Sequence, residues 1–323
     1  MNQTRSNILR SIVFLTTAFG CGLLQAADEP HGQHADPVQL VSGTKPHFAG
    51  SNPWLETSEA PLRTFKKGAI QKATISAGTV QSFESGGLSS SFYEVSVQSG
   101  IPLGSFDNIL GVTPQFRTDF IDAGNNVDAP AELFEAGVSF FYRRKFNARW
   151  SAMGIVAPSV RSDFTTSDNA FRIFGLGLLT WEAIPEKLGL SFGAVYLGRA
   201  DLPVLPAIGL RWTPNVRTKL DLRFPESKLS WRLAKDGARS ETWAYVSAGL
   251  GGNTWGVTRN DGTTDELSLR DIRLLLGAEH LLDGGGRLFA ETGFSVNRRL
   301  EYEAAEFEQE FGNAIMFQGG ISY

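Results

Sequence analysis

The chain has 323 residues, with 30 lysines and arginines against 34 aspartates and glutamates, for a formal charge of −4. That mild acidity offers nothing to a nucleic-acid backbone, and a single cysteine, Cys21, builds no disulfide framework. Glycine at 35 residues and phenylalanine at 23, against 14 prolines, suit a β-rich chain with many tight turns. Past the N-terminal region no window approaches the ~18 uninterrupted apolar residues that a membrane-spanning helix needs.

Residues 1–27 carry Arg5 and Arg10, then an apolar run over 11–24, then Gln25-Ala26-Ala27 ahead of Asp28. A basic start, a short apolar centre and small residues before an acid predict a secretory signal peptide. Lipidation at Gly20-Cys21 is the weaker alternative, because Ala18-Phe19 poorly matches the aliphatic and small residues usual before a lipidated cysteine. Removing the leader deletes two arginines and no acids, taking the charge from −4 to −6. Residues 28–67 contain Pro30, Pro37, Pro46, Pro53 and Pro61 with no sustained period. They predict a flexible periplasmic lead-in or a small plug. His31, His34 and His47 fall here without a cysteine or carboxylate frame, so they read as solvated tail residues and not as metal ligands.

From 68 to 323 the chain changes to alternating segments separated by turn-rich breaks. Fourteen are countable, from 68–80 through 216–224, 228–234, 241–256, 267–282 and 286–301 to 312–323. The pattern is plainest in VRTKLDLRF, residues 216–224. Arg217, Lys219, Asp221 and Arg223 alternate there with Val216, Thr218, Leu220, Leu222 and Phe224. One face is wet and one oily, which fits a strand. The same parity sets Leu110, Val112, Phe116 and Phe120 against Gln115, Arg117 and Asp119, and Phe134, Val138, Phe140 and Tyr142 against Glu135, Ser139 and Arg143.

The breaks alternate in length. Residues 302–310, 257–266, 122–131 and 81–87 are long, while 283–286, 214–215, 185–187 and 147–148 are short. Short turns at one end and longer loops at the other are the habit of outer-membrane barrels, with both termini on the short-turn side. Tryptophan adds a second signal. Trp150 begins a segment after a short turn, and Trp181 and Trp212 end segments before one, all on the apolar parity. Phe120, Phe134 and Phe224 fall at the opposite ends, so two aromatic girdles are expected. Phe317, Ile321 and the terminal Tyr323 share one parity, as in terminal strands read by the outer-membrane barrel assembly machinery. The expected fold is therefore all-β, a transmembrane antiparallel up-and-down barrel of about 12 to 14 strands, whose partners are the lipid bilayer and that machinery.

The block at 174–233, with its Trp212-Thr213-Pro214-Asn215 turn, Phe224-Pro225 and Leu229-Ser230-Trp231, resembles an uncharacterised family of exported bacterial proteins classed as a domain of unknown function. The resemblance implies an outer-membrane barrel and carries no activity, so it transfers no catalytic residue.

Nothing in the chain marks a catalytic centre or a cofactor site. Outside the lead-in the only histidine is His280, on the apolar parity, where it cannot activate an outer-surface serine. The inward face says more. Arg211, Arg217, Lys219, Asp221, Arg223, Arg232, Asp271, Arg273, Arg287, Glu291 and Arg299 are expected to line a lumen, with Glu135, Arg143, Arg161, Asp163 and Glu279. Three readings follow: a narrow passive channel for small polar solutes, a closed envelope barrel with a structural or partner-binding role, and a plugged transporter of hydrophobic compounds using Phe174, Leu176 and Leu178. The loops look too short to include a large constriction loop.

Overall fold

The computed structural model describes residues 61–323, except 64, 65, 67, 125–126, 197–203, 224–225 and 305. The predicted signal peptide, the three lead-in histidines and Phe224 lie outside the described residues. Fifteen strands follow one another: β1 Ile70–Ser82, β2 Ser89–Pro102, β3 Asn108–Asp122, β4 Glu132–Lys145, β5 Trp150–Ser162, β6 Phe171–Ile184, β7 Leu188–Tyr196 and β8 Val204–Asn215, then β9 Thr218–Arg223, β10 Glu226–Asp236, β11 Ser240–Thr258, β12 Thr264–Leu282, β13 Arg287–Tyr302, β14 Phe307–Phe311 and β15 Ala314–Ser322.

Consecutive strands from β1 through β14 pair antiparallel, and β15 pairs with both β13 and β1, so the sheet closes on itself. β14 and β15 occupy one wall position. β13 meets β15 along Arg287 to Ser295 and β14 along Arg298 to Tyr302. The result is a closed 14-stranded barrel. β14 falls within the expected long break at 302–310, because the wall there continues beyond the interruption at Gly312-Asn313.

Alternation decides which side chains meet which medium. Outward positions carry Val95, Phe116, Phe140, Val156, Ile173, Phe192, Ile208, Leu222, Val246, Leu274, Phe294 and Phe317, all exposed. A band of bare hydrocarbon this continuous around a barrel fits lipid and not water. Both chain ends of the barrel and the short turns lie at one end, here the turn end; the longer connections lie at the loop end.

The wall is uneven in height. β9 has only 6 residues, whereas β11 and β12 have 19 each. A tilted strand crosses the hydrocarbon in ~9–11 residues, so β11 and β12 overshoot. β10 accompanies β11 only as far as Glu226 opposite Gly249, which leaves 250–258 without that neighbour. The overshoot folds inward. Gly256 of β11 bridges to Ser162 of β5, six strands away in the sheet order. Fourteen strands ~4.8 Å apart and tilted by ~40° enclose a ring roughly 28 Å across, so this contact is possible only if β11 crosses the mouth. The bend has local causes. Gly252 adopts φ +99, which favours glycine. At the same height Asn297 sits at φ +52 beside a register shift between Arg270 and Ile272. Gly256 allows the docking itself, since a Cβ there would stand 2.4 Å from the Asp168 carbonyl oxygen.

Candidate functional site: the barrel interior and its covered mouth

Inside the barrel two walls differ in kind. On β4 to β8 a block of inward positions is hydrocarbon: Phe141, Ile155, Phe174, Leu176, Val195 and Ala207 form one buried cluster, flanked by Met153, Ala157 and Leu178. Sequence parity singled out Phe174, Leu176 and Leu178 but missed the rest.

On β8 to β13 the inward positions are charged and paired. Arg211 meets Glu182, and Arg223 grips Asp221 with Nε 2.6 Å from Oδ1. Glu279 holds two cations, Lys228 at 3.4 Å and Arg287 at 2.8 Å. Glu241 takes Lys235 at 2.5 Å, Arg232 at 3.7 Å and the Trp243 indole N–H at 2.8 Å. Glu291 accepts from the Tyr245 hydroxyl at 2.5 Å and from Gln318. Lys219 lies 4.4 Å from the Trp243 ring centre and Lys228 3.4 Å from that of Tyr245, within cation–π range. Nearer the loop end, Asp271 binds Arg273 at 3.2 Å and the Ser295 hydroxyl at 2.6 Å. Polar groups in such a confined interior are costly unless partnered, which is why the cations and carboxylates interlock.

Two of the expected lining residues fall elsewhere. Arg217 stands in the turn between β8 and β9, exposed at the rim, where the strand has already ended. Arg299 faces away from the interior, because the bulge at Asn297 shifts the parity of β13. Its cross-strand neighbours are Arg270 and Glu310, and it binds Glu308 at 2.9 Å and Glu310 at 3.2 Å. Arg298 points inward in its place, its guanidinium donating to the Leu88 and Gly312 carbonyls at 2.5 and 3.3 Å.

The folded-over ends of β11, β12 and β13 cover the mouth at the loop end. Trp255, Val257, Leu267, Leu300 and Tyr302 bury themselves against Leu88, Ile121, Ala123 and Leu133 of the opposite wall. Polar contacts tie down the edges. Asn253 donates to Glu135 at 2.9 Å, and Glu135 also pairs with Arg161 at 3.0 Å. The Thr258 amide donates to Asp163 at 3.0 Å, Arg259 pairs with Asp128 at 3.3 Å, and the Tyr302 hydroxyl donates to the Asp128 carbonyl. Burial pushes the Asp163 carboxyl up, but donation from Thr258, Thr165 and Ser162 outweighs it and holds the group below its ordinary 3.8. No sequence signal marked this cover. The expectation concerned loops alone, and the cover is built from strands.

Aromatic residues ring both ends. Trp150 and Trp181 are register partners with ring centres 6.4 Å apart, Trp212 lies outward opposite Leu188 and Leu220, and the unanticipated Trp231 extends the row at the turn end. At the loop end Phe120 meets Tyr93 edge-on at 6.2 Å, and Phe134 stacks on Phe164 at 4.4 Å. Tyr323 is exposed beside Ala73 of β1, with the Lys66 ammonium 3.8 Å from its ring centre. Just before β1, Arg63 binds Asp283 in the β12–β13 turn at 2.5 Å. His280 meets Thr242 on the outward face, at 3.0 Å. Among the described residues no group of three His, Cys, Asp or Glu could hold a metal ion.

No curated protein matches the chain. Among solved structures a similar chain is the TodX monoaromatic hydrocarbon channel deltaS2 mutant, at 11% identity and TM-score 0.40, covering 80% of this chain and 90% of that one. The family described as Domain of unknown function (DUF6268) matches residues 123–321, more than half of the sequence, and the chain belongs to that family.

Proposed function

We propose that the protein is a passive channel of the bacterial outer membrane, reached through export by its signal peptide, which carries small polar solutes along a narrow charged wall. The observation that carries this reading is the interlocked set of lysines, arginines and carboxylates on β8 to β13, which sets a field across a confined interior. The covered mouth makes passage depend on movement of the β11–β13 extension. Single-channel recording of the purified protein in a planar bilayer tests both parts. Stepwise currents are expected, more frequent in Asp128→Ala, which removes the carboxylate that Arg259 and Asn260 share, and altered in ion preference by Lys219→Gln. A folded barrel silent in both wild type and Asp128→Ala overturns the channel and leaves a closed envelope barrel.

A second reading, transport of hydrophobic compounds, draws on the apolar wall of β4 to β8, which a carrier of purely polar solutes has no use for.

A further inference from the structure

Beneath the cover a cavity of about 60 Å³ lies between the inturned stretch 250–255 of β11 and the facing walls, β1 to β3 on one side and β12 and β13 on the other. It has room for roughly four waters at ~15 Å³ each, or for one small anion. Charge around it is unequal. Arg117, Arg270, Arg273, Arg298 and Arg299 border the cavity, against Asp119 and Asp271.

Four of these arginines have carboxylate partners. Arg117 grips Asp119 with Nε 2.8 Å from Oδ2 and reaches Glu94 at 3.4 Å. Arg273 binds Asp271, Arg270 pairs with Glu301 at 3.0 Å, and Arg299 turns to Glu308 and Glu310. Arg298 is the remainder. It is 4% exposed, and its bonds go to the neutral carbonyls of Leu88 and Gly312. Among the described residues no carboxylate comes within ion-pair distance of it; Asp271 and Glu84 act on it from farther away, and Arg273 acts against them.

A guanidinium keeps its proton, and a buried charge without a counter-charge is costly. Water can satisfy the spare N–H donors of Arg298 but cannot cancel its charge, whereas an anion does both. A second group points to the same ligand. Trp255, on the cover, is 2% exposed and borders the cavity, and its indole N–H has no partner. Asn253 Oδ1, on the same lining, lacks a donor, which hydrogen phosphate or a water beside the anion would supply.

We infer that this cavity is a binding site for one small anion with charged oxygens, an inorganic oxyanion or the carboxylate of a small solute, held by the Arg298 guanidinium and the Trp255 indole N–H in the field of Arg273. Arg298 is fixed to the wall by its two carbonyls and Trp255 stands on the cover, so the anion ties one to the other. Binding stands on the cavity alone. That the bound anion marks the class of solute carried rests on the channel reading, to which it gives a substrate class.

Titration calorimetry of the purified full-length protein, in nonionic detergent and low-chloride buffer, tests the site with inorganic phosphate and with acetate. Saturable binding of at least one of them is expected, and the tighter of the two tells an inorganic oxyanion from a carboxylate. Arg298→Gln should weaken it at least about tenfold. Trp255→Phe keeps most of the ring packing in the cover and removes the N–H, and should weaken it about three- to tenfold. Arg239→Gln, in the turn between β10 and β11, deletes the same charge at the turn end and should leave binding unchanged. Heat-dependent gel mobility confirms that each variant is folded. No saturable binding of either anion, or an affinity unchanged in both Arg298→Gln and Trp255→Phe, overturns the site. Stepwise currents without anion binding keep the channel and remove the site; saturable binding to a barrel silent in the bilayer keeps the site and removes its role in choosing solutes.

Discussion

The two interior walls obey the same alternation and do opposite things with it. In the hydrocarbon cluster of β4 to β8 the inward side chains bury each other and need no partner of opposite charge. On β8 to β13 inward charges interlock with neighbours up to two strands away, as Glu279 does with Lys228 and Arg287. The apolar wall thus derives its stability from packing, which is local and non-directional, while the charged wall depends on networks in which one deletion strands its partners. A solute passing between them meets hydrocarbon on one side and a field on the other.

Three substitutions sharpen or break that contrast. The largest effect is expected from Phe174→Ala, which opens a cavity in the apolar wall and should cost about 3–5 kcal/mol, read from urea unfolding by heat-dependent gel mobility. Conductance through the charged side should survive it; loss of ion preference in this variant would mean that the walls do not act separately. Next comes Glu279→Gln, which leaves Lys228 and Arg287 without their shared carboxylate. It should cost about 1.5–3 kcal/mol and move reversal potentials toward anions, and an unchanged reversal potential would remove Glu279 from the solute's path. The smallest concerns the cover above both walls. The Asp163 carboxyl is held below 3.8, so its grip on Thr258 is complete above that pH and is lost as the pH falls through its lower folded value. Partial exposure limits the effect to under about 1 kcal/mol. Channel openings should become more frequent below about pH 4 in wild type, and Asp163→Asn should be equally active on both sides of that range.

Legibility in the sequence followed contrast. β9 was readable because Lys219, Asp221 and Arg223 alternate with leucines, and so the charged wall could be named residue by residue. β6 offers Ile173 and Leu179 outward against Phe174, Leu176 and Leu178 inward, so both faces are oily and the period-two signal fades. The apolar wall was hidden for that reason. Arg299 was assigned to the interior because parity counting assumes an unbroken strand, and the bulge at Asn297 breaks it. The cover was missed because alternation in β11 runs on past the hydrocarbon without change. The glycine pair Gly251-Gly252 at the bend reads equally well as a turn, so it marks nothing by itself. Closure of the barrel was legible from the turn-and-loop rhythm and the aromatic ends; where the sheet folds over itself depends on contacts far apart in the chain.

The shortness of β9 also acts on the surrounding bilayer. Six residues at ~3.3 Å, tilted by ~40°, rise only about 15 Å, against a hydrocarbon band about 25 Å tall on barrels of this kind. Lipid beside β9 must thin to meet it, at a cost of fractions of a kcal/mol per Å, while lipid beside the tall strands does not. The barrel thus has a soft side. In the plane of the membrane it would settle with β9 toward the thinnest lipid or toward a neighbour equally short, so its orientation among other proteins follows from mechanical mismatch without any specific contact.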